Sequence, residues 1–403
     1  MQGKVPETLV FPFQTETVAE GLASILTPKL EIYMRLGQFI PSLAPVFYNP
    51  KMKLNRDIAV LALQAFQKSL CRPIRVAEPL AGCGIRGIRF AKEVSNIESV
   101  SLNDLNPLAS RLIEKNIDQN NLTEKTSVTN FEAKTFLAFY AEPGKRFDVV
   151  DVDPFGTPAP FIESALCSLT NKGLLAVTAT DTAPLCGVTP KACLRKYYGK
   201  PLRTEYCREL GIRLILNAIV LTASKHDLGV KVLLTHATDY YFRIYVQIIR
   251  GAQRADFSIN QLGYVLHCFH CLYRKLSQGI VQIHDLKCPI CGEKMDFAGP
   301  LWLGPIIESE FCKETIRGAK GTLETRVLKL LNCLVDESDK PPTFYVLDKV
   351  CDKLNLPIPP KKDVLEKLTK MGWTAGGTHF HPSGIKTNAS INELREVLLS
   401  LEQ

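Results

Sequence analysis

Four consecutive residues carry the sharpest chemical signal in the sequence. Asp153, Pro154, Phe155 and Gly156 lie at the end of the strand-like run 147–153. An exocyclic amine on a nucleobase is a poor nucleophile because its lone pair is delocalised into the ring. The Asp153 carboxylate and the Pro154 carbonyl could accept its two N–H groups and direct the lone pair at an electrophile, while Phe155 could stack on the base. Asp-Pro-x-Gly is also common turn chemistry, but its position at a strand end favours a catalytic motif.

A second chemical signal is a glycine turn between a predicted strand and a predicted helix. Gly82, Gly84 and Gly87 form a G-x-G-x-x-G pattern, and Asp104 stands at the end of the next predicted strand. Glycines let the backbone approach a nucleotide-like ligand, and a carboxylate at that strand end can accept hydrogen bonds from ribose hydroxyls, so NAD and S-adenosylmethionine both fit. Glu78, at the end of the first strand, favours S-adenosylmethionine, because a carboxylate stabilises its cationic sulfonium and amino groups.

Four of the thirteen cysteines have metal-ligand spacing. Cys268 and Cys271 form one C-x2-C pair, and Cys288 and Cys291 form another after sixteen intervening residues. This is the spacing of a tetrahedral structural zinc site. A catalytic metal is not expected, because four thiolates would fill every position, and unmetallated thiols are the alternative.

The length and composition limit the class of protein. A chain of 403 residues exceeds the roughly 250 to 300 residues at which single cores stop growing, so two domains are expected. Hydrophobic residues at 46% and charged residues at 22% exclude a disordered chain. The odd cysteine count, with no signal-peptide pattern and no long apolar run, predicts a cytoplasmic protein without a membrane segment.

Strand-like and helix-like segments alternate from residue 75 to residue 178, before a cysteine-rich segment begins near residue 251. Predicted strands cover 75–78, 99–104, 126–130, 147–153 and 174–178, and predicted helices cover 55–70, 87–94, 108–120, 134–140 and 159–170. The alternation predicts an α/β fold with a doubly wound, Rossmann-like parallel sheet, whose ligands bind at the carboxyl ends of the strands. We expect a catalytic domain over 1–250 and a smaller α+β domain over 251–403, with the zinc knuckle pair at 268–291 and a winged-helix-like unit at 320–390.

Longer strings of residues extend these signals over nearly the whole chain. They are Val-Phe-Tyr-Asn-Pro-Lys-Met at 46–52, Asn-Arg-Asp at 55–57, Gly-Ile-Arg-Gly-Ile-Arg at 84–89, Asn-Asp at 103–104, Asp-Val-Asp-Pro-Phe-Gly at 151–156, Thr-Ala-Thr-Asp at 178–181, Ala-Pro-Leu-Cys-Gly at 183–187, Trp-Leu-Gly-Pro at 302–305 and the segment 378–387. Together they resemble the tRNA (guanine-26, N2)-dimethyltransferases of archaea and eukaryotes.

The resemblance implies an activity and a set of site residues. It implies transfer of methyl groups from S-adenosylmethionine to the exocyclic N2 of guanosine 26 in tRNA, which gives N2-methyl- and N2,N2-dimethylguanosine. It further implies that Asp153 and Phe155 hold the guanine and that a carboxyl-terminal domain grips the tRNA. The residues implied to contact the methyl donor are Arg56, Arg86, Asp104, Glu132 and Ala133.

The positive charge is concentrated in one part of the chain. Between Cys186 and Arg254 there are twelve basic and four acidic residues. The difference between these counts, +8, equals the net charge of the whole chain. Chance clustering on a solvated face is one interpretation, and contact with tRNA phosphates is the other. The candidate phosphate contacts are Lys191, Arg195, Lys196 and Arg203.

Two other functions remain open from the residues. One is an amino-methyltransferase that acts on another RNA or on DNA adenine, since an Asp-Pro-aromatic motif is shared by that wider group. The other is a zinc-containing regulator that binds nucleic acid without catalysis, in which the 153–156 motif would have no purpose. No obligate protein partner is evident from the sequence.

Overall fold

The computed structural model describes residues 11–35, 37–281, 285–319 and 325–401. The chain divides into two compact units, Met1–Tyr140 and Ala141–Gln403. The predicted domain boundary at residue 250 and the winged-helix-like unit at 320–390 stay predictions. Of the ranges predicted from the sequence, residues 1–10, 36, 282–284, 320–324 and 402–403 lie outside the described residues.

The first unit opens with two short antiparallel hairpins and then alternates helix and strand. Its elements are β1 (Thr15–Glu20), β2 (Ala23–Pro28), β3 (Met34–Arg35), β4 (Gln38–Phe39), α1 (Lys53–Leu70), β5 (Ile74–Glu78), α2 (Ile85–Glu93), β6 (Ile97–Asn103), α3 (Pro107–Gln119), β7 (Thr126–Thr129) and α4 (Ala133–Phe139). Strands β5, β6 and β7 run parallel, with β6 in the middle. Parallel strands end at the same edge, so the glycine turn after β5 and the residues after β6 and β7 share that edge.

The second unit begins with four strands and five helices. The elements are β8 (Phe147–Val152), α5 (Ile162–Cys167), β9 (Leu169–Ala179), α6 (Thr182–Leu185), α7 (Pro190–Tyr197), α8 (Cys207–Ser224), β10 (Leu228–Thr238), β11 (Tyr241–Arg250) and α9 (Ala252–Ile259). Strands β8 and β9 are parallel, whereas β11 is antiparallel to β9 and β10 is antiparallel to β11. The α/β class is confirmed, and the sheet is parallel-rich rather than wholly parallel.

One helix predicted from the sequence is too long. The predicted helix 159–170 is a 3₁₀ turn at Ala159–Phe161 followed by α5, which ends at Cys167. Leu169 already belongs to β9 and lies opposite Phe147 of β8. Pairing with the neighbouring strand therefore overrides the local helical pattern.

The rest of the second unit consists of two three-stranded sheets and five helices among its described residues. They comprise β12 (Leu262–His267), β13 (Arg274–Gln278), β14 (Asp296–Trp302), α10 (Ser309–Arg317), α11 (Thr325–Glu337), β15 (Tyr345–Val346), α12 (Leu347–Leu354), α13 (Lys361–Lys370), β16 (Ala375–Gly376), β17 (Gly384–Thr387) and α14 (Ile391–Ser400). The strand orders are β13-β12-β14 and β15-β17-β16. In the described part of the chain, no helix has both the length and the apolar character needed to cross a membrane.

A buried cluster of charged side chains ties α8 to the carboxyl-terminal elements. The Glu209 carboxylate accepts hydrogen bonds from Arg213 at 2.8 Å and from Lys386 at 2.8 Å. Glu337, at the end of α11, accepts a hydrogen bond from His379 Nδ1 at 2.6 Å and lies 3.5 Å from Lys386. Burial would raise the pKa of Glu337, but His379 and Lys386 lower it to about 2. Each charge in the cluster is thus paired, as burial requires.

Candidate active site

The glycine turn after β5 needs glycine for two different reasons. Gly82 and Gly84 have φ values of 57° and 80°, in the left-handed region that side chains disfavour. A Cβ at Gly82 would also lie 2.9 Å from the carbonyl oxygen of Phe47. A Cβ at Gly87 would lie 2.8 Å from a Glu78 carboxylate oxygen, so this glycine permits the close approach of α2 to β5. The conformation of the turn therefore depends on residues without a Cβ at these three positions.

Asp104 closes the same edge from the end of β6. Its Oδ2 accepts a hydrogen bond from the Gly82 N–H at 2.8 Å, and its Oδ1 accepts one from the Asn106 N–H at 2.9 Å. Partial burial raises the pKa of Asp104 above its ordinary value of 3.8. Each carboxylate oxygen has two lone pairs, so acceptor capacity is left for the hydroxyls of a ribose.

Asn103 positions this edge and was given no role by sequence reasoning. Its side-chain amide donates to the carbonyl of Pro79 at 3.0 Å and to the carbonyl of Phe131 at 2.9 Å, and its oxygen accepts from the Phe131 N–H at 3.0 Å. It therefore joins the glycine turn to the loop before α4. The available signal was a small amide at the end of an apolar strand, where a buried polar group must find partners.

Glu78 and Arg86 are engaged with the protein itself. Glu78 Oε2 accepts a hydrogen bond from the Gly87 N–H at 2.9 Å, and its Oε1 lies 3.6 Å from Arg86 Nε. Arg86 also donates to the Asn55 side chain at 2.8 Å. The carboxylate that was expected to face a sulfonium thus has a guanidinium beside it. A donor-binding role for either residue stays a prediction.

Arg56, on α1, is buried in an ion pair with the amino-terminal hairpin. Its Nε and one terminal nitrogen bind the two oxygens of Glu20, both at 2.7 Å. Glu20 also accepts a hydrogen bond from Arg89 at 2.8 Å. Burial would lower the pKa of Arg56, but the bond to Glu20 outweighs it and raises that pKa. The pair fixes the start of α1, and contact of Arg56 with the donor stays a prediction.

Glu132 and Ala133 form the start of α4. Glu132 is the residue before the helix, and its side chain accepts the Thr135 N–H at 2.9 Å. Ala133 is the buried first residue of the helix. Glu132 is therefore a helix cap whose half-exposed carboxylate retains further acceptor capacity.

The Asp-Pro-Phe-Gly motif follows β8 directly, and its side chains differ in their exposure to solvent. Phe155 is 67% exposed, an unusual exposure for a large aromatic side chain. Asp153 is half-buried and Pro154 is buried. Gly156 has a φ of 79°, so the chain turns there in a conformation that favours glycine. The motif forms a turn that carries a half-buried carboxylate and a mostly exposed aromatic side chain.

A buried arginine from β11 anchors the motif on its amino-terminal side. Arg243 donates to both oxygens of Asp151, at 3.0 and 2.5 Å, and to the Thr178 hydroxyl at 2.8 Å. Burial would lower the pKa of Arg243, but the attraction of Asp151 outweighs it, and Asp153 adds to the upward shift. The guanidinium is thus close enough to influence the carboxylate of Asp153. Sequence reasoning missed this contact because Arg243 is far away along the chain.

The four candidate tRNA-contacting residues lie on α7 and just beyond it. Lys191, Arg195 and Arg203 are exposed. Lys196 is 37% exposed and its ammonium lies 3.1 Å from the carboxylate of Asp181. The basic surface of α7 is thus accessible, but Lys196 has an acidic partner within the protein.

Two arginines that were counted in the basic segment are not available to an outside partner. Arg213 and Arg243 are buried and paired with Glu209 and Asp151. The excess charge between residues 186 and 254 therefore overstates the positive surface. Sequence counts cannot tell a buried ion pair from a solvated charge.

The four cysteines with metal-ligand spacing converge on one point. Their Sγ atoms all lie within 4.8 Å of one another, and those of Cys268 and Cys291, like those of Cys271 and Cys288, are 3.5 Å apart. A tetrahedron of thiolates around zinc, with bonds of about 2.3 Å, has edges of about 3.8 Å. The arrangement fits a four-coordinate structural site with no position left for a reactant.

The sequence of the chain is similar to one family of known proteins over nearly its whole length. A family model described as N2,N2-dimethylguanosine tRNA methyltransferase matches residues 21–399. The tRNA (guanine(26)-N(2))-dimethyltransferase of Methanothermobacter thermautotrophicus is 43% identical over 392 residues, which covers 96% of this chain and 99% of the relative. The tRNA (guanine(26)-N(2)/guanine(27)-N(2))-dimethyltransferase of Aquifex aeolicus is 37% identical over 390 residues and 96% of each chain.

A solved structure agrees with these sequence relatives. Trm1 from Pyrococcus horikoshii, determined with S-adenosyl-L-methionine, is 34% identical and superposes with a TM-score of 0.83. The match covers 95% of this chain and 99% of that one. The chain therefore belongs to the N2,N2-dimethylguanosine tRNA methyltransferase family.

Proposed function

We propose that this protein is a tRNA (guanine(26)-N2)-dimethyltransferase that uses S-adenosylmethionine as methyl donor. One observation carries the proposal beyond family membership: an exposed Phe155 stands beside a half-buried Asp153 at the carboxyl end of β8. The end of a strand in an α/β sheet is where such folds bind their ligands. A solvent-facing aromatic and a carboxylate together suit a flat base that carries an amine.

On the acceptor side, Asp153 and the Pro154 carbonyl accept the two hydrogens of the guanine N2 amine. This draws the nitrogen lone pair out of conjugation with the ring. Phe155 stacks on the base, a contact worth about 1 to 3 kcal/mol in single-strand binders. The target guanosine must first leave the helical stack, at a cost of a few kcal/mol, because a paired base hides its N2.

On the donor side, the glycine turn and Asp104 suit the nucleoside part of S-adenosylmethionine. Asp104 would accept hydrogen bonds from the ribose hydroxyls, and Gly82 and Gly84 would let the backbone approach the ligand. Glu132 and Ala133, at the amino end of α4, would contact the adenine. When bound, the donor supplies a methyl group on a cationic sulfur. Each transfer would break one methyl–sulfur bond and form one C–N bond, leaving the sulfur as the neutral thioether of S-adenosylhomocysteine. The nitrogen would release one N2 proton, which Asp153 or water can accept.

The tRNA partner is supported by charge and by the carboxyl-terminal elements. Lys191, Arg195 and Arg203 present exposed positive charge on and near α7. The described elements from α11 to β17 follow the order helix, strand, helix, helix, strand, strand. That order supports the proposed winged-helix-like unit, which would grip the phosphate backbone. A cytoplasmic location, without an obligate protein partner, is part of the same proposal.

A further part of the proposal is a structural zinc ion at Cys268, Cys271, Cys288 and Cys291. Zinc would hold the two knuckles together and would not take part in methyl transfer, since the four thiolates complete its coordination. Metal analysis of the purified protein is expected to give about one zinc per chain. Cys288→Ala should lose the metal and lower the melting temperature, whereas Cys71→Ala, at an exposed cysteine outside the cluster, should keep both. Wild-type metal content in Cys288→Ala would contradict the site.

The experiment that tests the function is methylation of undermodified tRNA, with the product nucleosides identified by mass. We expect N2-methyl- and then N2,N2-dimethylguanosine at position 26, and loss of product when guanosine 26 is replaced by adenosine. Replacement of guanosine 27 reports whether that neighbour is also modified. Duplex DNA is the competing substrate. Methyladenine in DNA would favour the amino-methyltransferase alternative, and no transfer to any nucleic acid would favour the non-catalytic regulator.

A further inference from the structure

The acceptor motif is held on its carboxyl-terminal side by two hydrogen bonds to Thr180, the residue that follows β9. The Gly156 N–H donates to the Thr180 hydroxyl at 2.8 Å, and the Thr180 N–H donates to the Gly156 carbonyl at 2.9 Å. With the Arg243–Asp151 pair on the other side, Asp153 and Phe155 lie between two fixed points. Only three residues separate Asp151 from Phe155, so a small movement of either anchor redirects both side chains.

A chain of side-chain hydrogen bonds extends the second anchor to α7. The Tyr197 hydroxyl donates to Asp181 Oδ1 at 2.6 Å and lies 2.9 Å from the Thr157 hydroxyl. Because the single hydroxyl hydrogen of Tyr197 goes to the carboxylate, Thr157 must donate to the Tyr197 oxygen. Lys196 binds the other carboxylate oxygen at 3.1 Å.

The burial of this chain shows that its geometry is fixed. Tyr197 is fully buried and the Asp181 side chain is only 11% exposed. Burial, with the carboxylate of Asp181, raises the pKa of Tyr197, so its hydroxyl remains a donor at every physiological pH. This chain of hydrogen bonds therefore has one arrangement of donors and acceptors: Thr157 donates to Tyr197, and Tyr197 donates to Asp181.

We propose that Tyr197 is a positioning residue for methyl transfer, which acts through Thr157 and Asp181 to fix the direction of Asp153 and Phe155. The inference rests on the proposed function and adds residues to it that neither the sequence motifs nor the family comparison assign. Tyr197 is fully buried, so its role is positioning and not contact with a substrate. As the last residue of α7, it joins the acceptor motif to the helix that carries the basic candidates for tRNA contact.

The test is a double-mutant cycle on kcat with Tyr197→Phe and Thr157→Val. Each variant removes one hydroxyl of the pair and keeps the size of the side chain. We expect each to lower kcat about tenfold, as loss of one strong buried hydrogen bond allows. The KM for S-adenosylmethionine and the Kd for tRNA should stay within about twofold, since neither variant removes a donor-binding residue or a basic side chain of α7. The double variant should be about as slow as either single one, because both lose the same link.

Two controls separate positioning from a general loss of stability. Thr157→Ser keeps the hydroxyl and should restore most of kcat. Tyr264→Phe removes a tyrosine hydroxyl bond of similar length, to the Ile280 carbonyl at 2.6 Å in the cysteine-rich segment, and should leave kcat unchanged. Melting temperatures of all variants provide the readout for stability.

Some results would overturn the inference while the proposed function stands. Wild-type kcat in both single variants, or multiplicative losses in the double variant, would show that the hydroxyl pair does not act as a unit. An equal loss in Tyr264→Phe would show that stability, not position, is responsible. The proposed function fails separately, when the wild-type protein itself leaves guanosine 26 unmethylated.

Discussion

The proposed donor region and the proposed acceptor region of this protein present their side chains differently. We call residues 78–87, 103–106 and 132–133 the donor region and residues 151–157, 178–181 and 243 the acceptor region, after the roles proposed above. In the donor region the polar groups are bound to one another, as in the Gly82–Asp104 bond of 2.8 Å. In the acceptor region Phe155 is 67% exposed. A small cofactor can be recognised by a rigid backbone cradle, whereas a base on a large RNA needs a side chain that stands out to meet it.

The largest expected effect is a loss of kcat on substitution of one residue in the acceptor region. Asp153→Ala removes the carboxylate that orients the N2 amine and should lower kcat about a hundredfold to a thousandfold, the size seen when a transition-state contact is deleted. Binding of S-adenosylmethionine should be unchanged, because the donor region keeps all its residues. Labelled methyl transfer and calorimetric titration of the donor measure the two effects. Near wild-type turnover in this variant would refute the role of Asp153.

The next largest effect is expected when a side chain is added where α2 packs closely against β5 in the donor region. In Gly87→Ala the new Cβ would lie 2.7 Å from a Leu102 methyl and 2.8 Å from a Glu78 oxygen. Overpacking of this kind costs about 1 to 3 kcal/mol, so the melting temperature and the donor affinity should both fall. Gly377→Ala, where the nearest atom is the flexible end of Lys361 at 3.2 Å, is the control. Equal melting temperatures for both variants would contradict the close approach.

A third change tests the exposed aromatic without touching the core. Phe155→Ala should lower kcat/KM for tRNA about fivefold to 150-fold, which corresponds to about 1 to 3 kcal/mol of stacking. The melting temperature should stay constant because the ring is mostly exposed. Phe155→Tyr keeps a stacking ring and should retain most activity, while Phe155→Leu should not. If leucine serves as well as tyrosine, the contact is apolar packing rather than stacking.

A pH profile tests the carboxylate of the donor region. Burial raises the pKa of Asp104 above 3.8, and the protonated form gives up an acceptor that the ribose hydroxyls need. Donor affinity should therefore be full above that raised pKa and fall as the pH drops through it. Asp104→Asn should bind the donor about tenfold more weakly at neutral pH and lose this dependence. A profile of Asp104→Asn that matches wild type would assign the titration to another group.

The smallest expected effect concerns the basic surface beside the acceptor region. Charge reversal at Lys191 and Arg195 should weaken tRNA binding and reduce the slope of log affinity against log salt by about 1 to 2. Lys225→Glu, an exposed reversal at the end of α8, should leave the slope unchanged. Binding measured over a series of salt concentrations distinguishes the two. An unchanged slope in the double variant would move the phosphate contacts elsewhere.

Much of the fold follows from local sequence. The predicted strands 75–78 and 99–104 match β5 (Ile74–Glu78) and β6 (Ile97–Asn103) to within two residues, because apolar and β-branched runs between turn residues favour strands wherever they occur. The helix predicted over 159–170 was wrong beyond Cys167, since residue 169 pairs with a distant strand. The antiparallel direction of β10 and β11 was also missed, because strand direction depends on the path of the chain.

For the candidate site, the sequence predicted the motifs but not the side chains that hydrogen-bond to them. The glycine turn, Asp104 and the Asp-Pro-Phe-Gly string could be located because their residue types and spacing are local properties. The partners that fix them, such as Arg243 for Asp151 and Tyr197 for Thr157, are tens of residues away in the chain. Their pairing depends on which strands and helices become neighbours.

The sequence by itself determined the chemical groups available: two loops at strand ends, four cysteines at zinc spacing and an excess of basic residues. Only the tertiary structure decided which of these charges face solvent. Burial in low dielectric forces Arg213 and Arg243 to find acidic partners, whereas Lys191 and Arg195 stay hydrated and free to meet a phosphate. Spacing along the chain specifies what a residue could do, and desolvation in the folded protein decides which residues remain able to do it.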